Sequence, residues 1–482
     1  MLRWAVIFFC GIQRPSCEPT TECHRMSLIS RPELADDQMK VHSSVRKFLE
    51  KYGEGAGLEK LFAVCAPGLE PFTSLELDQL DLISSRPPLR SEIFLTEEGT
   101  PYGRQVSRKP RLIRGVKGHN QNENFLSGKP RPLGGDLQSG GIEFQGSLQD
   151  VYRVNLHLRT ASRVLVRLGE FYASAFAELR RKASRLFWEN YLAPERPIAL
   201  RVTCRNSRLY HEAAVAERVA GAIADRLGKL PPVQIYREDS GTNPPQLIVV
   251  RLVDNLCTIS MDSSGALLHR RGYRLATAKA PLRETLASAM VMASGWDTLS
   301  PFLDPFCGSG TIPIEAALLA RRIPAGYTRR FAFMDWPNFD SKSWDELLIH
   351  ARKAIISDIP RIVASDRDAG AIQAAQANAE RAGVGHGIEF SRRAISVIDP
   401  PLGPGWVVTN PPYGVRLKKT NDLRNLYAQF GKVLRTRCPG WHVTVLSDRV
   451  QLIRSIGLEF DRGISMMNGG LKVRLVRGLV KS

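Results

Sequence analysis

The sequence contains no apolar stretch approaching the roughly 20 residues that a bilayer-spanning helix requires, which excludes a chain threaded repeatedly through a membrane. Its eight cysteines, Cys10, Cys17, Cys23, Cys65, Cys204, Cys257, Cys307 and Cys438, form no C-x-x-C pair, and no histidine stands at ligand spacing from them. That excludes a disulfide scaffold and a zinc ribbon or finger, so no metal is expected and a reducing compartment, the cytoplasm, is the simplest home. Cys10, Cys17, Cys23 and His24 do cluster, but at a spacing that matches no zinc or iron-sulfur pattern. Acidic side chains are scarce beside basic ones: 48 Asp and Glu stand against 67 Lys and Arg, a net charge of +19 over 482 residues. Such an excess is the electrostatic footprint of a polyanion partner, nucleic acid first, although charge also serves solubility. Only Trp4 to Cys10 imitates an export signal, and it is short and followed by no A-x-A site. Translation from Met26 or Met39 is an alternative reading of the same leader. What remains is globular in composition, 43% hydrophobic and 24% charged, and long enough for two to four domains.

Folded patterning begins near Leu61, so residues 1–57 are expected to be a poorly ordered and dispensable extension. Leu61 to Ala66 reads as a strand and Pro67 to Leu80 as a helix. Between Arg86 and Gly140 the chain carries six prolines, many glycines and a run of basic residues from Arg104 to Lys117. It buries too little apolar area to offset its ordering entropy, which predicts a mobile basic insertion over 86–140. From Gly141 an α+β unit follows, with strands at Ile142 to Phe144, Arg163 to Leu168, Ile198 to Cys204, Gln246 to Leu252 and Leu256 to Asp262. Helices are expected at Ser147 to Leu158, Phe171 to Tyr191 and Glu212 to Leu227, and Asp254-Asn255 reads as a hairpin turn. No catalytic constellation appears in this part, which suits a binding module covering 58–268. From 269 to 482, strands alternate with helices as in a parallel sheet covered on both faces. The chain closes on an antiparallel hairpin around Asn468-Gly469-Gly470.

Three segments carry chemistry. Asp304-Pro305-Phe306-Cys307-Gly308-Ser309-Gly310-Thr311 follows a strand and opens a helix, so the glycines admit close backbone approach and the helix start offers free N–H groups. No Lys-Ser/Thr follows, which excludes a phosphate-cradling loop of the nucleotidase kind, and Pro313 stands where a dinucleotide fingerprint needs its third glycine. An Asp ahead of the glycines suits an ammonium, hence an amino-acid-bearing nucleoside such as S-adenosyl-L-methionine. Asp366 ends the next strand, where an acid accepts ribose hydroxyls; its alternative role is to cap the following helix, which Asp368 could also do. Asn410-Pro411-Pro412-Tyr413 follows a further strand. Two prolines stiffen this loop and remove donors, leaving the Asn410 amide oxygen and backbone carbonyls as a row of acceptors beside an aromatic ring. That row fits an amino group conjugated to a flat base stacked on Tyr413.

On these residues, with the continuation Ile312 to Ala317, the chain resembles the class I amino-methyltransferases. The connector Arg271-Gly272-Tyr273-Arg274 and the segment Ala280 to Ala287 narrow the resemblance to THUMP-domain RNA methyltransferases, nearest the bacterial large-subunit rRNA guanine-N2 methyltransferases. The likeness covers about Leu58 to Ser85 and Gly141 to the end. It implies an α/β fold in which a ferredoxin-like and THUMP α+β RNA-binding region precedes a Rossmann-like class I methyltransferase domain. It further implies Asp304, Phe306, Cys307, Gly308, Ser309, Gly310, Thr311 and Asp366 at the cofactor, Asn410, Pro411, Pro412 and Tyr413 at the amine, and RNA as partner with no membrane. The RNA expected is 23S rRNA, with tRNA second. Other readings are a DNA-adenine or protein-glutamine methyltransferase using the same loop, and a non-catalytic RNA-binding assembly factor. The adenine-side acid of many relatives is missing from Ile388 to Ala394. Some relatives carry a second methyltransferase domain, an activity expected to be absent from a chain that stops at Ser482. Removing Gly141 to Ser264 is expected to leave cofactor affinity intact.

Overall fold

The computed structural model describes residues 58–83, 137–138, 140–193, 195–236, 244–274, 282–413 and 420–481. The N-terminal extension, the Cys10 to His24 cluster and nearly all of the basic insertion lie outside the described residues. The first sheet is built from β1 (Glu59–Cys65), β2 (Leu137–Gln138), β3 (Gly141–Gly146), β4 (Ala161–Tyr172), β5 (Ile198–Arg205), β6 (Gln246–Val253) and β7 (Leu256–Asp262), with α1 (Glu70–Gln79), α2 (Leu148–His157), α3 (Phe176–Ala183) and α4 (Glu212–Leu227). Its strand order is β2-β3-β1-β4-β7-β6-β5, antiparallel throughout except for the β5 and β6 pair. Ser147 starts α2 through a capping box with Asp150, which satisfies two otherwise orphaned N–H groups. Asp254 and Asn255, both at positive φ, turn β6 into β7, as a twisted two-residue hairpin demands.

One expected helix is corrected. Phe171 and Tyr172 continue β4 by pairing with Cys257 and Leu256, and α3 is confined to Phe176–Ala183. Strand pairing wins at its start because aromatic side chains suit a pleated surface. At its end, the buried Trp188 donates its indole N–H to the Ala183 carbonyl at 2.8 Å, a bond that the next helical turn would have needed.

The second sheet comprises β8 (Phe302–Asp304), β9 (Ile362–Asp366), β10 (Ile388–Arg392), β11 (Trp406–Thr409), β12 (His442–Ser447), β13 (Ile464–Asn468) and β14 (Leu471–Leu479). Its helices are α5 (Glu284–Ala293), α6 (Thr311–Ala320), α7 (Ser341–Lys353), α8 (Ala369–Arg381), α9 (Thr420–Arg437) and α10 (Val450–Ser455). Strand order is β10-β9-β8-β11-β12-β14-β13: five parallel strands and an antiparallel terminal hairpin. This is the Rossmann-like class I arrangement expected from the sequence. From β8 the chain winds one way to β9 and β10, then crosses to β11 and β12, so the switch point lies between β8 and β11. Ligands bind at the carboxyl edge there.

The two sheets exchange core side chains. Phe331, Phe333, Trp336 and Trp344, from the segment between α6 and β9, are buried in the core of the first sheet. Leu69 and Phe72, at the start of α1, are buried in the core of the second. Backbone and side-chain bonds fix the exchange: Trp336 donates to Gln246 Oε1 at 3.0 Å and the Asp340 amide to the Tyr152 hydroxyl at 3.0 Å. Among the described residues no helix is long and apolar enough to cross a membrane, and Cys65, Cys204, Cys257, Cys307 and Cys438 are unpaired thiols.

Candidate active site

The carboxyl ends of β8, β9 and β11 bring the expected residues to one edge. Asp304 ends β8 fully buried. Its Oδ1 accepts the Thr409 hydroxyl at 2.6 Å and the Phe306 amide at 3.1 Å, while its buried Oδ2 has no partner. Burial pushes this carboxyl up to about 7, the nearby Asp366 charge adds to the rise, and the Thr409 hydroxyl opposes it. A desolvated acid with one oxygen unsatisfied is a socket for a cation: an incoming ammonium would restore both its charge and its missing bond.

The loop after Asp304 is held open by backbone geometry. Gly308 has φ +53° and a Cβ placed there would meet nothing within 4 Å, so a ligand can lie against the bare backbone. Gly310, at φ +83°, has a different need, because a Cβ would come within 3.0 Å of Ala375. It caps α6 in the left-handed region. Pro313 sits in the first turn of α6, where its missing N–H removes no helical bond. The Cys307 amide donates to the Ser365 carbonyl at 3.0 Å, and burial pushes its thiol well above the ordinary cysteine range. It is therefore a packing group, inert as a nucleophile. Phe306 packs edge-on against Phe430 of α9, with ring centroids 5.4 Å apart.

Asp366, partly exposed at the end of β9, accepts the Gly308 amide on Oδ2 at 3.1 Å and the Asp368 amide on Oδ1 at 3.0 Å. Asp368 is the cap of α8, accepting from Gly370 and Ala371 at 2.8 and 3.2 Å. The capping alternative for Asp366 is thereby excluded, and its carboxylate spans β9 and the glycine loop with lone pairs left over. Asn410 follows β11 one residue after Thr409. Its amide oxygen is buried with no partner, Pro411 is buried, Pro412 is exposed and the Tyr413 ring is partly buried.

Several supporting residues complete the site, and of these Thr409, Asn378, Arg381 and Asn468 carried no signal in the sequence. Thr409 pins Asp304 from the neighbouring strand. Asn378 of α8 donates to the Ser309 carbonyl at 3.0 Å, and Arg381 ties Asn378 to the Tyr273 carbonyl of the connector. Arg274 donates to the Thr311 hydroxyl at 2.5 Å. Asn468, in the terminal hairpin, donates to the Tyr413 hydroxyl at 2.9 Å. Among the described residues no group of three His, Cys, Asp or Glu side chains is arranged to hold a metal.

Comparison with known proteins finds matches to three domain families. Residues 271–477 match the RMKL-like methyltransferase domain, 134–165 the RlmL ferredoxin-like domain and 173–262 the THUMP domain. A Synechocystis sp. protein named provisionally as an RNA methyltransferase is 35% identical over 342 residues, 70% of this chain and 88% of its own. The ribosomal RNA large subunit methyltransferase K/L of Syntrophotalea carbinolica is 36% identical over 373 residues, 73% of this chain and 52% of its own length. The chain thus spans about half the length of the K/L relatives it matches. Among solved structures, a Listeria monocytogenes protein described as a predicted N6-adenine-specific DNA methylase superposes with TM-score 0.70 at 28% identity, covering 89% of this chain and 97% of that one.

Proposed function

The chain belongs to the family of THUMP-containing, RMKL-like methyltransferases, and from that premise we propose that it methylates the exocyclic N2 amine of a guanosine in large-subunit ribosomal RNA, using S-adenosylmethionine. The observation that carries this reading is the Asn410 amide oxygen. It is desolvated, unpartnered and held on a proline-stiffened loop, one residue beyond the Thr409 that pins Asp304. S-adenosylmethionine supplies a methyl group on a sulfonium, ready for transfer to a nucleophile. Asp304 would hold its ammonium, Asp366 its ribose hydroxyls, and the bare backbone at Gly308 its contact with the loop.

The guanine amine is a poor nucleophile because its lone pair is delocalised into the ring. In the proposed reaction, Asn410 Oδ1 and the Pro411 carbonyl each accept one amine hydrogen, which draws the nitrogen toward tetrahedral geometry and aims its lone pair. Tyr413 stacks on the base. Positioning of this kind lowers barriers by about 7–11 kcal/mol when reacting atoms are aligned. No dedicated base is required, since the methylated amine becomes acidic and sheds its proton afterwards. The target guanosine must be unstacked, in a loop or by flipping.

An adenine amine offers the same two hydrogens, so the loop alone does not choose the base. The THUMP match and the charge of +19 favour RNA over DNA or protein. The test is transfer of labelled methyl to unmodified large-subunit rRNA, total tRNA and double-stranded DNA in parallel. Label confined to the rRNA is the expected result; label in DNA alone would overturn the proposal, and label in tRNA alone would move it to the second RNA class.

A further inference from the structure

The register of the first sheet lays out a surface that the catalytic site does not use. On the face opposite α3 and α4, three rows of side chains run across β4, β7, β6 and β5. The first is Tyr172, Leu256, Val253 and Arg205; the second Glu170, Thr258, Arg251 and Thr203; the third Arg167, Ser260, Val249 and Arg201. The inner face of the same strands packs Val202, Val250, Leu252 and Ile259 against Leu179, Val215 and Ile223. Alternation therefore assigns every residue of the three rows to the outer face.

Charge is distributed unevenly over these rows. At the β4 side the charges are neutralised: Arg167 lies 2.6 Å from Glu143, and Glu170 lies 3.4 Å from Lys60. At the β5 and β6 side they are not. Arg205 and Arg251 are exposed and carry no ion pair among the described residues, and the exposed Arg201 lies only against a ring, its guanidinium 5.1 Å from the centre of Tyr236. Elsewhere in this half, Arg180, Arg226 and Lys229 each reach a carboxylate within 2.8 Å. Arg201 and Arg205 thus form a column along the edge strand, roughly 13 Å long, and Arg251 stands beside it on β6, opposite Thr203.

Aromatic rings stand at the same end. Tyr172 is 65% exposed and Tyr210 66% exposed, so both rings present a face to solvent. Hydrogen bonds knit their segments together: the Ala173 amide donates to the Asn255 carbonyl at 2.9 Å, the Arg208 amide to Asn255 Oδ1 at 2.8 Å, and the Asp254 amide to the Arg205 carbonyl at 3.1 Å. The column of positive charge and the exposed rings are therefore parts of one rigid corner of the sheet.

We propose that this corner, the outer face of β5 and β6 with Arg201, Arg205 and Arg251 flanked by Tyr172 and Tyr210, is a docking surface for a single-stranded segment of the substrate RNA. The inference rests on the RNA reading above. A free guanidinium column suits phosphates, and exposed rings suit bases that have left their stack. The occupant is RNA because a single strand alternates phosphates with unstacked bases and so answers the arginines and the rings together.

The test compares the unaltered protein with Arg201→Gln/Arg205→Gln/Arg251→Gln, and with Arg180→Gln/Arg226→Gln/Lys229→Gln, which removes equal charge from paired positions. Binding of a short fluorescent oligouridine is followed across a salt series, with S-adenosylmethionine affinity as the control for folding. The first variant should bind RNA at least tenfold more weakly, and its log–log salt slope should shrink by about 2, as the loss of three phosphate contacts to a single strand requires. The second should stay within about twofold. Tyr172→Ala should weaken binding about tenfold with the salt slope kept, the signature of lost stacking. Equal affinity and slope in the first variant, or equal losses in both, would overturn the docking surface while leaving the RNA reading in place. Absence of salt-dependent RNA binding by the unaltered protein would overturn both.

Discussion

Asp304 gives the site its pH dependence. Burial lifts its carboxyl from an ordinary 3.8 to about 7, so the folded chain holds this proton more tightly than the unfolded chain does. Its contribution to stability is complete below its ordinary value and is lost as pH rises through about 7. Pairing with an ammonium needs the ionised form, which reverses the sign for binding: cofactor affinity should climb by up to about tenfold per pH unit below 7 and level off above it. Calorimetry across pH 5.5 to 8.5 reads this directly, and Asp304→Asn should both weaken binding and flatten the profile. Asn410→Ala should behave differently, losing on the order of 100-fold in turnover with cofactor affinity kept, because its acceptor matters only when the amine is aligned. Asp304 with the two glycines, and the Asn-Pro-Pro-Tyr loop, were legible in the sequence because each motif is contiguous and its residue types are unusual together, and Asp366 because it is an acid at a strand's end. Thr409 and Asn468 were not legible. They lie 105 and 55 residues from the groups they hold, and a threonine or an asparagine at a strand end has no pattern of its own.

At the scale of elements, the alternation of strands and helices was readable from residue 141 onward, down to the turn at Asp254-Asn255 and the closing hairpin. Two things were not. The aromatic run Phe331 to Trp336 and the helix α7 have no partner nearby in sequence, and their burial against the first sheet is decided only when both halves fold. The segment from Phe171 to Tyr191 has helical spacing, yet its first residues are claimed by β7. The exchange of core side chains has a consequence for dissection. Removing Gly141 to Ser264, expected from the sequence to spare cofactor binding, would leave Phe331, Phe333 and Trp336 uncovered, so that truncated protein should be insoluble or collapsed. For the same reason Phe333→Ala should cost about 3–5 kcal/mol and, in urea, should shift one transition monitored from both sheets. Separate midpoints for the two sheets would show that the halves fold independently.

The whole molecule combines a charge of +19 with a site whose own ionisable groups are acidic. Substrate attraction and chemistry are therefore assigned to different surfaces, and RNA affinity should fall steeply with salt while cofactor affinity barely moves. A salt series on both ligands checks that division. The central proposal is narrower: the unpartnered Asn410 acceptor, beside a socket for the cofactor's ammonium, positions the guanosine N2 amine for methyl transfer. It is tested most directly by incubating the protein with S-adenosylmethionine and unmodified large-subunit rRNA, digesting the RNA to nucleosides and identifying the methylated product by mass spectrometry. The account predicts N2-methylguanosine, formed by the unaltered protein and lost with Asn410→Ala. Methylated adenosine, or N2-methylguanosine produced undiminished by the Asn410 variant, would contradict it.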